Sequence, residues 1–83
     1  MIRIEIGIPD KNLSAAEIGE AAIALDNAGI DELCDLLQKL KSRRAPDHLH
    51  LSTSGCGEGD LDATPPEPPY ILVEELRIAK IAE

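Results

Sequence analysis

Tyr70 is the only aromatic side chain in a chain of 83 residues that has no Phe and no Trp. An interior for this chain has to be assembled from Ile, Leu, Val and Ala, whose smaller side chains leave it thin. That limits residues 1–83 to a single small domain, without room for separate catalytic and regulatory modules. Apolar residues at 43% and charged residues at 29% match ordinary globular usage and argue against a wholly disordered chain. Domains of this size hold roughly 3–5 kcal/mol, so burial against a second copy in a homodimer would be a useful supplement.

Ile2, Ile4, Ile6 and Ile8 alternate with Met1, Arg3, Glu5 and Gly7, a period of two that predicts a strand with one buried face. Pro9-Asp10-Lys11-Asn12 ends it. Ser14 with Glu17 forms a capping box opening a helix that carries Ile18, Ala21, Ala22 and Leu25 on one face. That helix stops near Asn27-Ala28-Gly29, with Gly29 as a left-handed terminal residue. Asp31 can cap a second helix with Leu33, Leu36, Leu37 and Leu40 on one stripe. Its first turns are acidic, Lys39, Lys41, Arg43 and Arg44 fill its last, and Pro46 stops it. A single helix from Ala15 to Arg44 keeps a heptad-like spacing through Gly29, so one helix or two stays open.

His48-Leu49-His50-Leu51 returns to alternation as a second strand, leucines inward and imidazoles outward. Three glycines and four prolines make residues 52–69 a long irregular loop. Tyr70 to Ile81 reads as a third strand, with Leu72, Leu76 and Ile78 on one parity and Ile71 and Val73 on the other. A bulge at Glu74-Glu75 would reconcile the two. The expectation is an α+β domain: a small three-stranded, mostly antiparallel sheet packed against one or two helices, in the order β-α-(α)-β-β.

Sixteen acidic against eight basic residues give a net charge of −8, which repels phosphate backbones and anionic membrane surfaces. Nucleic acid and membrane are therefore not the expected partners, and a basic protein is. The start of the chain lacks the pattern of a signal peptide and no stretch reaches transmembrane length, so the expected compartment is the cytoplasm. Cys34 and Cys56 are then expected as reduced thiols.

Asp47, His48, His50 and Cys56 could together supply metal ligands, but known zinc sites draw paired ligands from two separate elements and only one pair stands here. Cys56 could act as a nucleophile with His48 or His50 as base, yet Glu58, Asp60 and Asp62 nearby disfavour a thiolate. The Gly55–Gly59 segment lacks the Lys and the following helix of a phosphate-binding loop. Glu74-Glu75 and the acids of the loop could pair as general acid and base, but such runs are commonly a solvated face. No metal, cofactor or catalytic residue is expected. A small metal-binding or thiol enzyme using His48, His50 and Cys56, and a structural adaptor pairing through the third strand, are the alternatives.

At Asp47-His48-Leu49-His50-Leu51, at Gly57-Glu58-Gly59-Asp60-Leu61, in the terminal stretch Val73 to Ile81, and in the opening Met1 to Gly7 with the leucine helix, the chain resembles the immunity protein 32 family of bacterial polymorphic toxin systems. Members of that family place a Trp-Gly-Gly-type loop after the Asp-His-Leu-His segment, where this chain has Gly55-Cys56-Gly57. The resemblance implies a protein that binds and neutralises a cognate toxin encoded beside it, and the charge would suit a basic nuclease. The expected partner-binding residues are His48, His50, Glu58, Asp60, Asp62 and Glu74, which would occlude the toxin's active site or groove.

Overall fold

A computed structural model describes residues 1–7 and 19–83. The elements run β1 (Ile2–Gly7), β2 (Glu20–Leu25), α1 (Asn27–Ser42), β3 (Asp47–Ser52), β4 (Gly59–Asp60), β5 (Tyr70–Val73) and β6 (Glu75–Lys80). They form two three-stranded sheets, sheet A in the order β2-β1-β5 and sheet B in the order β4-β3-β6. Only the short β3–β4 pair is parallel. The α+β class and the mostly antiparallel pairing are those the sequence predicts. The strands divide into two sheets instead of making one, and a single helix is present among the described residues. No described helix is long and apolar enough to cross a membrane.

Ile8, the stop at Pro9–Asn12, the capping box of Ser14 and Glu17, and Ile18 lie outside the described residues. The remainder of the expected first helix, Glu20–Leu25, is a strand. Its alanines favour a helix by only a few tenths of a kcal/mol per residue, whereas β1 offers a full ladder of backbone partners. The register Ile2↔Leu25, Ile4↔Ile23 and Ile6↔Ala21 places Ala21, Ile23 and Leu25 of β2 beside the isoleucines of β1. A continuous helix from Ala15 is thereby excluded.

The observed helix opens at Asn27, four residues before the expected cap at Asp31. Asp26 is the cap, its Oδ1 accepting from the Gly29 N–H at 2.8 Å and pairing with the Met1 ammonium. Those two partners, the ammonium first, hold the Asp26 carboxyl below its ordinary range. Gly29 sits in the first turn and terminates nothing; a Cβ there would overlap the carbonyl of Met1, so the start of β1 can lie against the helix only over a glycine.

The parity conflict after Tyr70 is resolved by a change of sheet. Glu74 alone separates β5 from β6, and the chain crosses there from sheet A to sheet B, so no bulge is needed. Both sheets and the helix close on one core: Ile2 and Ile4 of β1, Leu36 and Leu40 of α1, Leu49 and Leu51 of β3, and Leu61 just after β4. The expected loop 52–69 is thus anchored in its first half, with Leu61 N–H donating to Ser52 O at 2.8 Å and Asp62 N–H to Ile2 O at 2.6 Å. Tyr70 takes no part in the core. It lies over Gly7 on the far face of sheet A and donates its hydroxyl to Glu20 Oε1 at 2.8 Å.

Candidate interaction surface

Period-two alternation fixes what β3 presents. Leu49 and Leu51 are fully buried, so His48 and His50 stand on the opposite face, His48 exposed and His50 half-buried. Cross-strand partners share a face. The register therefore sets Ala79 beside His48, Arg77 beside His50 and Glu75 beside Ser52. The two imidazoles meet edge to face with centroids 4.9 Å apart. His50 Nδ1 is shielded from solvent and lies 3.3 Å from Glu75 Oε1, without the alignment of a hydrogen bond.

On the other edge of β3, β4 covers only Leu51 and Ser52, which leaves the backbone of His50 short of a strand partner. Glu58 fills the gap twice over. Its Oε2 accepts from the His50 N–H at 2.7 Å and its own N–H donates to the His50 carbonyl at 2.8 Å, so a loop residue completes the ladder. The His50 N–H is the main reason the Glu58 carboxyl is held below the usual range, with its own N–H next and the charges of Arg43 and His50 after. A Cβ on Gly57 would overlap the His50 carbonyl oxygen, so this contact requires a glycine one residue before Glu58. The buried Ser52 hydroxyl accepts from the Cys56 N–H at 3.2 Å and shares a hydrogen bond with Ser54 Oγ at 3.0 Å, shaping the turn between β3 and Glu58.

Charge is graded along β3. At the Asp47 end, Arg43 Nη1 reaches the His48 carbonyl at 3.4 Å, while Lys80 Nζ donates to Arg43 O at 2.7 Å and Lys41 O at 2.9 Å, satisfying the end of α1. An open cleft of about 400 Å³ lies there between Pro46, Asp47, His48, Arg77, Lys80 and Ile81. At the Ser52 end the neighbours are acidic: Glu75 across from Ser52 on β6, Asp60 across from it on β4, and Glu74, whose carbonyl accepts from the Thr53 N–H at 2.9 Å. His50 marks the boundary between the two.

Of the six expected binding residues, His48, His50, Glu58 and Asp60 gather on or beside β3, and Glu74 borders its acidic end. Asp62 sits apart, its carboxylate 3.6 Å from Arg3 Nη1 on β1 and its backbone tied to Ile2. Glu75 and Arg77 also belong to the surface; the sequence reading named Glu75 beside Glu74 without placing it among the binding residues, and missed Arg77. Their signal was the parity change at Glu74: taken as two strands, residues 75–80 put Glu75, Arg77 and Ala79 on one side. Both cysteines are free and exposed, and the Cys56 thiol points to the Ser54 carbonyl at 4.0 Å. Among the described residues no group of three or more His, Cys, Asp or Glu converges as a metal site. Comparison with protein-family models, with curated proteins and with solved structures finds no match to this chain.

Proposed function

We propose that this chain is an immunity protein, which neutralises a cognate bacterial toxin in the cytoplasm by binding it and not by catalysis. The observation that carries the reading is the acidic end of the β3 face, where Glu58 and Glu75 lie against His50 and Asp60 stands across from Ser52, in a chain of net charge −8. A toxin domain with a basic groove, as a nuclease has, complements it: long-range attraction speeds encounter and the imidazoles dock where the charge changes sign. The likeness of the Asp47–Leu51 and Gly57–Leu61 segments to the immunity protein 32 family supports the same reading.

The test pairs survival with fold. Cells expressing the toxin encoded beside this gene are expected to survive with the wild-type chain and to lose protection with Asp60→Lys or Glu75→Lys. Both variants should melt within about 0.5 kcal/mol of wild type, because the side chains are exposed. Association should also slow as salt rises, since exposed charges are screened over about 10 Å at 0.1 M. Charge-reversed variants that still protect fully would overturn this placement of the site.

A further inference from the structure

We propose that the groove of the toxin partner is not uniformly basic: beside the cations that meet Glu75 and Asp60 it presents a carboxylate side chain that pairs with Arg77. The proposal rests on the reading of the β3 face as the binding surface, and adds the charge pattern of what binds there. Its basis is an unpaired guanidinium set beside the His50 imidazole, in the middle of that face.

Backbone bonding puts Arg77 inside the footprint. The N–H and the carbonyl of His50 are both taken by Glu58, so they point away from β6. His50 and Arg77, which face each other in register, are therefore a non-hydrogen-bonded pair, the kind whose Cα atoms stand only about 4.5 Å apart and whose side chains meet. Glu75 lies two residues along β6 on the same face, about 7 Å away. A partner that covers His50 and Glu75 covers Arg77 with them.

Acids that could pair with Arg77 inside the chain are turned elsewhere. Glu75 leans to His50 Nδ1 at 3.3 Å, and Glu58 Oε2 accepts from the His50 N–H. Asp47, which lines the same cleft as Arg77, accepts from the His48 N–H at 2.7 Å. Glu83 takes Lys80 Nζ at 3.0 Å and the Ala45 N–H at 2.7 Å. Among the described residues the exposed Arg77 forms no ion pair. Lys80, the other cation of the cleft, is engaged by the carbonyls of Lys41 and Arg43, which leaves Arg77 as the cation open to a partner.

Charge complementarity then fixes what lies over it. A guanidinium drawn out of water without an anion is costly, and a cation set against it is worse. A carboxylate matches its forked donors in two parallel hydrogen bonds. The partner therefore alternates in sign as this face does, basic over Glu75 and Asp60 and acidic over Arg77. Net charge and local pattern act on different rates: the −8 of the whole chain governs encounter with a basic partner, whereas the pairing at Arg77 governs how long the complex lasts.

The test is the kinetics of the full chain on the immobilised toxin encoded beside its gene, with thermal melts to establish that each variant is folded. Arg77→Glu makes the chain more acidic, so association should hold or quicken, while dissociation is expected to speed about tenfold or more. Arg77→Ala, which introduces no new charge, should also speed dissociation, and keeps the test readable if Arg77→Glu does not fold. A uniformly basic partner gives the opposite sign: both variants would dissociate more slowly than wild type. Slower or unchanged dissociation in the folded variants would overturn the proposal and leave the immunity reading intact, whereas a wild-type chain that does not bind the toxin removes both.

Discussion

The two sheets are built alike and end up differently covered. Each has a six-residue central strand in strict alternation, β1 with Ile2 and Ile4 inward and β3 with Leu49 and Leu51 inward. In sheet B the central strand is fully covered: Leu49 and Leu51 are at 0% exposure, and Leu76 and Ile78 beside them on β6 are partly buried. In sheet A the apolar face runs on past its cover, leaving Ile23 and Ile71 at 55% and 53% exposure on the strands either side of β1. Alternation therefore tells which side chains share a face. Whether that face is buried depends on how far the helix and the opposite sheet reach, which no local pattern records.

Truncation of the best-covered residue tests this contrast most severely. Leu51→Ala should cost on the order of 2–5 kcal/mol, comparable to the whole stability of so small a domain, and leave the chain largely unfolded by circular dichroism. Ile23→Ala, at the uncovered end, should stay within about 1 kcal/mol of wild type in denaturant melts at high dilution. Equal losses at the two sites would mean that sheet A is as well covered as sheet B.

A smaller effect is expected in the glycine turn that finishes the β3 ladder. Gly57→Ala forces a methyl into the His50 carbonyl, and should destabilise by roughly 1–3 kcal/mol. Gly55→Ala has open space but a φ of +77°, and should cost about 1 kcal/mol from backbone conformation alone. Thermal melts of the two variants rank the steric demand against the conformational one.

Glu58 gives a pH test with a definite sign. Its folded pKa is lowered, so its contribution is present above the unfolded value near 4.5 and is lost as pH falls through the folded value. Glu58→Gln keeps an acceptor for the His50 N–H but cannot titrate. Its melting temperature should therefore fall less steeply than that of wild type as pH drops below the ordinary carboxylate range. Identical profiles would mean that the carboxylate contact with His50 contributes nothing to folding.

The smallest change is expected on the outer face of sheet B. His48→Ala and Arg77→Ala should each alter stability by about 0.5 kcal/mol or less, since neither side chain fills space in the core. A larger loss in chemical denaturation would make these residues structural and withdraw them from the binding surface.

Much of this architecture was legible in the residues. The isoleucine alternation of β1 and the histidine–leucine alternation of β3 gave both central strands and their inward faces, and the leucine stripe gave α1 from Leu33 onward. Glu20–Leu25 was misread because alanine and leucine at helical spacing satisfy a helix locally, while the competing strand partner lies in residues 2–7 and exerts its pull only through tertiary structure. Asp31 obscured Asp26 as the cap, since both are acids followed by helix formers. The double role of Glu58 was unreadable for another reason: its targets are the backbone N–H and carbonyl of His50, which any residue but proline at position 50 would have supplied.

The crossing at Glu74 also governs when the molecule can be made. β1 and β3 are translated before their partners β5 and β6, which both come from residues 70–80, on either side of that one residue. A nascent chain emerging from the ribosome can zip β1 to β2 but can complete neither sheet until residues 70–80 have cleared the exit tunnel. Closure of both sheets thus waits for one short segment, and a chain truncated before Tyr70 would lack a strand from each.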